Sequence, residues 1–219
     1  QFSPDKKQLS FFMTGKNGGI FTYPVAGGAI KQVFKKSGSD ELDFSWSPDG
    51  KYIASSDTLL ESGYYYWESG SSIQVLDVVT GIITNVTQLN ARHSSPVWSP
   101  DGKYLFFSSD RNGDGLYVLP LKPEELRGNE VTLKYEKPKD PVKVEIDFVG
   151  IETRTRKLNA QPARGTEFDK EDGSIYFTSG ADVYKSNFNG EEVKRITQTG
   201  NVSSWSLTDD QKQLVTVQG

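Results

Sequence analysis

The chain has 219 residues, with no cysteine, one histidine and one methionine. Without thiols it has no disulfides, no thiol nucleophile and no thiolate metal site, and this suits a prokaryotic cytoplasm or periplasm equally well, so the compartment stays open. The lone His93 sits in Arg92-His-Ser-Ser-Pro, and no Gly-x-Ser-x-Gly elbow occurs anywhere in the chain. A serine-hydrolase triad therefore has neither its elbow nor a choice of base, and no catalytic residue is expected. No apolar run approaches the roughly 18 residues that would suggest a membrane span, so no membrane insertion is expected. Lys and Arg number 25 against 29 Asp and Glu, a net charge of -4. That balance gives no electrostatic reason to expect nucleic acid or an anionic bilayer as partner.

What the chain does have is a repeated word. Trp98-Ser-Pro-Asp-Gly-Lys-Tyr-Leu-Phe-Phe-Ser-Ser-Asp restates Trp46-Ser-Pro-Asp-Gly-Lys-Tyr-Ile-Ala-Ser-Ser-Asp. Ser-Pro-Asp-Gly suits a type I turn: Pro presets φ at the second position, Asp bonds its own backbone, and Gly is favoured last. With the turn as anchor, five copies line up, led by Phe2, Trp46, Trp98, Phe168 (in the degenerate Phe168-Asp-Lys-Glu-Asp-Gly) and Trp205. An apolar β-rich run follows each turn, at Leu9 to Met13, Tyr52 to Ser55, Tyr104 to Ser108, Ile175 to Thr178 and Leu214 to Val217. Third strands follow the first four of these, at Ile20, Ile73, Leu116 and Val183, ending in turn signals such as Ala26-Gly-Gly, Thr80-Gly and Asn189-Gly. Fourth strands are expected at Ile30 to Phe34, Ile83 to Thr87, Val142 to Phe148 and Val193 to Thr197.

Four antiparallel strands per unit, repeated, predict an all-β fold, a β-propeller of four-stranded blades with four to five blades present. The blades are placed at 1–45, 46–97, 98–150 (with an insertion at 122–140), 151–204 and a partial one at 205–219, all in a single propeller domain that is part of a larger ring. Half-built terminal blades would leave strand edges and an apolar face uncovered, which predicts self-association.

Three features were candidates for chemistry. Asp110-Arg-Asn-Gly-Asp-Gly matches the first half of a calcium loop, but position twelve is Leu121 where a bidentate Glu belongs, so the segment reads as a polar turn and no metal is expected. Gly18-Gly19 and Gly27-Gly28 lack the spacing of a phosphate cradle, and no cofactor is expected. The four consecutive aromatics Tyr64, Tyr65, Tyr66 and Trp67 lie in a loop between second and third strands. They read either as packing for that loop or as a contact surface, since Tyr and Trp supply binding area at low entropy cost.

The Trp-Ser-Pro-Asp-Gly-Lys-Tyr word, followed by Ser-Ser-Asp and a third strand ending in Leu-Asp-x-x-Thr-Gly, resembles the propeller repeats of the Tol-system periplasmic protein and the tricorn proteases. Val144-Glu-Ile-Asp-Phe-Val-Gly-Ile-Glu-Thr-Arg-Thr-Arg-Lys-Leu is similar to a tricorn-type segment late in the second propeller of those enzymes. The resemblance implies a non-catalytic propeller of a tricorn-like serine peptidase, guiding or filtering peptide substrates beside the remaining domains of its parent chain. The alternative it leaves is a stand-alone interaction propeller holding a protein partner.

Overall fold

The computed structural model describes residues 1–35, 42–58, 70–87, 91–124, 132–139, 141–159, 163–208 and 210–219. Strands β1 (Gln8–Met13), β2 (Gly19–Pro24) and β3 (Lys31–Lys35) make the first sheet, and an isolated bridge from Phe2 to Leu9 stands where a fourth strand would pair. The second sheet is β4 (Phe44–Trp46), β5 (Tyr52–Thr58), β6 (Ser71–Asp77) and β7 (Ile83–Asn85); the third is β8 (His93–Trp98), β9 (Tyr104–Ser109), β10 (Gly115–Pro120) and β11 (Arg156–Asn159). The fourth is β12 (Arg164–Phe168), β13 (Ile175–Ser179), β14 (Asp182–Ser186) and β15 (Lys194–Arg195), and β16 (Val202–Leu207) pairs with β17 (Leu214–Gln218). Every pairing is antiparallel between neighbours in sequence, as in propeller blades.

The repeated word folds the same way in four of its five copies, the Phe168 copy closing instead through Gly173 N–H to Asp169 O (2.9 Å). In the second sheet Gly50 N–H donates to Ser47 O (2.9 Å), Tyr52 N–H to Ser47 Oγ (2.9 Å), and Ser47 Oγ–H to Asp49 Oδ1 (2.8 Å). The set recurs around Ser3 and Asp5, around Ser99 and Asp101, and around Thr208 and Asp210. Each turn ends on a left-handed residue: Lys6, Gly50, Gly102, Gly173 and Gln211, with φ between 57 and 74°. A type I turn closed by a left-handed residue matches the twist of the strands it joins.

This bonding corrects the placement of the fifth copy. Thr208 holds the place of Ser47, so Leu207 and not Trp205 is the equivalent of Trp46; Trp205 lies two residues earlier, on the same side of its strand. Its indole nevertheless reaches the preceding sheet, donating to Thr178 Oγ1 (2.6 Å), much as Trp46 donates to Ser10 Oγ (2.8 Å) and Trp98 to Ser45 O (3.2 Å).

The core lies in the seams between sheets. Ile20 and Phe34 of the first sheet meet Trp46, Ile53 and Leu76 of the second. Ala54, Ile73 and Val75 of the second meet Leu105, Phe107, Tyr117 and Leu119 of the third. Phe106, Leu116 and Val118 of the third meet Phe168, Ile175 and Phe177 of the fourth. A sheet covered on both faces needs apolar residues at successive positions, which is why β9 and β10 read Tyr-Leu-Phe-Phe and Leu-Tyr-Val-Leu without alternation. Each such fully buried side chain contributes about 1.5–3 kcal/mol relative to exposure.

The fourth strand of the third sheet also differs from expectation. Val142 to Phe148 forms no strand, and its place on the sheet is taken by Arg156–Asn159, beyond the limit read at residue 150. The segment instead crosses the turn end of the blades. Val142 and Val144 press on Gly102, where an added Cβ would sit 2.9 Å from Val144 Cγ2, and Val144 N–H donates to Asp49 Oδ2 (2.9 Å). Farther along, Tyr135 covers Gly173, its hydroxyl donates to Lys170 O (2.6 Å), and Leu133 N–H donates to Asn189 Oδ1 (2.6 Å). The excursion is therefore a strap over three blades, with Leu133 only 3% exposed.

Candidate functional site: the end of the blades opposite the strap

Antiparallel blades have two ends, one carrying first-to-second and third-to-fourth turns, the other carrying second-to-third turns and the links between blades. The strap occupies the first end across the second to fourth sheets. At the second end, β5 and β6 part after the pair Thr58 and Ser71, so the loop carrying Tyr64, Tyr65, Tyr66 and Trp67 leaves from there. Those four residues lie outside the described residues.

The ground around that loop is described. Ser71 Oγ accepts His93 N–H (2.6 Å) and donates to His93 O (2.7 Å), clasping the third sheet's first strand to the second sheet's third. The His93 side chain is buried, edge-on to Phe107 with centroids 5.3 Å apart. That makes it part of the seam. Beside it Arg92 N–H and Nε–H donate to the two oxygens of Asp110 (2.8 and 2.9 Å). Burial alone would push the Asp110 carboxyl up, but these Arg92 contacts hold it below the usual carboxylate range. Ser95, with φ 52°, donates through N–H and Oγ to Asp43 Oδ2 (3.2 and 3.0 Å) across the same seam. In the Asp110 to Asp114 loop, Lys157 Nζ donates to the carbonyls of Asn112 and Gly113 (both 2.9 Å), tying the loop to β11.

The segment resembling a tricorn motif is built around Arg154. Its Nη1 donates to Leu121 O (3.2 Å) and Asp147 O (2.8 Å), and Nη2 to Val149 O (2.6 Å). Gly150 is left-handed (φ 63°) and opens a single 3-10 turn, Ile151–Thr153, whose Ile151 is buried in the seam. In this chain the motif therefore fixes the return of the strap onto β11. Sequence reasoning missed Glu124, which accepts from Tyr104 Oη (2.8 Å) and Arg156 Nη1 (2.7 Å), because a Glu in a charged excursion carries no signal of burial.

No family model matches the chain. Among curated proteins, dipeptidyl-peptidase 5 of Porphyromonas endodontalis is 35% identical over 88 residues, which cover 39% of this chain and 13% of that protein. The Tol-Pal system protein TolB of Francisella tularensis subsp. mediasiatica is 30% identical over 87 residues, 38% of this chain and 18% of that protein. The chain thus spans less than a fifth of the length of either relative. Among solved structures, tricorn protease superposes with a TM-score of 0.74 at 17% identity over 99% of this chain and 24% of its own. TolB from Acinetobacter baumannii gives 0.65 at 19% identity, over 98% of this chain and 47% of its own. The fold is a β-propeller. More narrowly, fold and likenesses together fit a propeller region of the type found in tricorn protease and TolB, whose counterparts are parts of larger proteins. No helix among the described residues is long and apolar enough to cross a membrane.

Proposed function

We propose that this chain is the non-catalytic propeller region of a tricorn-like serine peptidase, and that it guides or filters peptide substrates with the blade ends opposite the strap. The observation carrying this reading is the asymmetry of the two ends. The strap's own chain covers the turn end, while the opposite end presents the root of the aromatic loop beside the fixed pair Arg92 and Asp110. Tyr64, Tyr65, Tyr66 and Trp67 are its contact surface, because aromatic side chains lose little entropy when a peptide is laid across them. The remaining domains of the parent hold the serine chemistry.

A second reading is favoured by the TolB likeness, namely a propeller that holds a folded protein partner with no peptidase attached. Short and long fluorogenic peptides assayed with the purified chain, and then with the full-length parent carrying Tyr65→Ala and Trp67→Ala, separate the two. The first reading expects no cleavage by the chain alone and an altered length preference in the parent. Unchanged length preference after removal of the whole propeller would exclude it.

A further inference from the structure

At the outer rim of the third blade, on the strap side, a cavity of about 560 Å³ lies between Pro120 to Glu124 and Val149 to Arg156. Pro120, Pro123 and Val149 make its apolar wall, and Arg154, Arg156 and Glu124 line the rest, with Arg156 Nη1 donating to Glu124 Oε2 (2.7 Å). The Arg154 guanidinium is committed to the three carbonyls already described. Arg156 is not: Nη1 pairs with Glu124, while Nε and Nη2, the other edge of its fork, are buried without a partner among the described residues. Thr155 Oγ1, next in the chain, is buried without one as well. An unmet buried donor costs about 1–3 kcal/mol, and more on a charged group, so three orphaned polar atoms in consecutive residues of one cavity call for an acceptor.

The geometry points to a carboxylate-binding site in which the Nε–Nη2 edge of Arg156 takes the two oxygens side-on and the Thr155 hydroxyl supplies a further bond. Two parallel N–H donors match a carboxylate's two oxygens, which a point-charge lysine cannot reproduce. Pivoting on its bond to Glu124, the guanidinium turns this edge from the wall into the cavity, exchanging orphaned donors for paired ones. Tyr104 holds Glu124 from the other side, and burial together with the Glu124 carboxylate raises its phenol above the usual range, so it remains a neutral donor at physiological pH. The ligand is a small molecule or peptide ending in a carboxylate, from a chain terminus or an acidic side chain, with aliphatic atoms against Pro120, Pro123 and Val149. The site lies away from the face assigned to substrate guidance and stands independently of that assignment.

Nitrogen-15 labelled chain is titrated with N-acetylglycine, with N-acetylglycinamide as the neutral isostere, and with N-acetylglutamate methylamide for a side-chain carboxylate. Either or both acids should shift the amides of Gly150, Thr155 and Arg156 saturably, which of them does so identifying the source, and the amide should not. Arg156→Lys keeps the charge but loses the fork and should weaken binding about tenfold or more. Thr155→Val leaves the fork in place and should weaken it severalfold even where Arg156→Lys proves unstable. Equal affinity for acid and amide, no shift from either acid up to about 10 mM, or unchanged affinity in both variants overturns the proposal.

Discussion

At the level of single residues, the turn is the informative unit, because four copies of one geometry allow the same position to be compared with different side chains. Lys6 and Gln211 stand left-handed where Gly50 and Gly102 stand in the equivalent turns. A side chain there costs roughly 1–2 kcal/mol, partly offset because glycine loses more freedom on folding. Lys6→Gly and Gln211→Gly are each expected to stabilise by a few tenths to about 1 kcal/mol in urea denaturation. The reverse change separates strain from crowding. Gly50→Ala meets only Pro4 Cδ at 3.8 Å, whereas Gly102→Ala also drives into Val144 and Val142, so it should be the more damaging of the two. Equal losses at the two sites would mean that the strap does not rest on that turn.

Glu167 belongs to the same scale. It is a half-buried carboxylate that, among the described residues, accepts one hydrogen bond, from Leu207 N–H (3.0 Å), and burial raises its pKa despite that bond. A folded-state pKa above the unfolded value means the native chain binds the proton more tightly, so stability from this group is present at low pH and is lost as pH rises through the raised value. Glu167→Gln, which keeps an acceptor for Leu207, should raise the melting temperature at pH 7 by an amount worth less than about 1 kcal/mol. The gain should vanish near pH 4, in the range where an ordinary Glu is itself protonated.

At the level of elements, the strap decides which end of the blades is covered, and its own attachments can be ranked. Its ion pairs, Lys103 with Glu136 (2.9 Å) and Lys137 with Glu171 (2.6 Å), are largely exposed to solvent and add little to its hold. Leu133 is buried among Tyr104, Phe106 and Phe188, and Leu133→Ala should cost about 2–4 kcal/mol, while Val149→Ala at 84% exposure should cost almost nothing. Asp49 is the polar anchor. Burial pushes its carboxyl up, but the N–H of Val144 with Ser47 and Lys51 more than offsets that, leaving the pKa lowered. Its contribution is thus full above the unfolded pKa of about 3.9 and is lost as pH falls through the lower folded value. Acid titration should accordingly expose the amide of Val144 to exchange in that window, and Asp49→Asn should remove the dependence.

The strap also shows where the sequence could be read and where it misled. Ser-Pro-Asp-Gly prescribes its own bonding, so the sheets and their order followed from it. Val142 to Phe148 read as a strand because Val142, Val144 and Ile146 alternate with Lys143 and Glu145, yet an extended segment laid on a row of turns buries alternate residues just as a strand on a sheet does. Trp205 was misplaced for a similar reason: Trp-Ser looks like the repeat's opening, but the turn is defined by the hydroxyl and the Asp two residues beyond it, which are Thr208 and Asp210. The carboxylate cavity was invisible because its residues come from either side of the strap and meet only in space. The candidate contact loop, Tyr64 to Trp67, was legible as composition but not as geometry.

For the whole molecule, the seams carry the stability and the two ends differ in what covers them. Blade faces are apolar in the middle of the array, while the last sheet leaves Val215 and Val217 half exposed and the first leaves Phe2, Leu9 and Met13 uncovered. In other seams these positions are buried, as with Trp46 and Ile53 in place of Phe2 and Leu9. Peptides are proposed to meet this chain at the blade ends opposite the strap. The most direct test is hydrogen exchange of the chain with and without extended peptides that are amidated at the C-terminus and free of acidic residues, which keeps the carboxylate cavity out of the measurement. Protection is expected in the 59–69 loop, around Ser71 and His93 and from Asp110 to Gly115, with none at Ser47 to Tyr52, Ser99 to Tyr104 or Leu133 to Asp147. Protection confined to the strap end, or none anywhere at saturating peptide, would contradict the account.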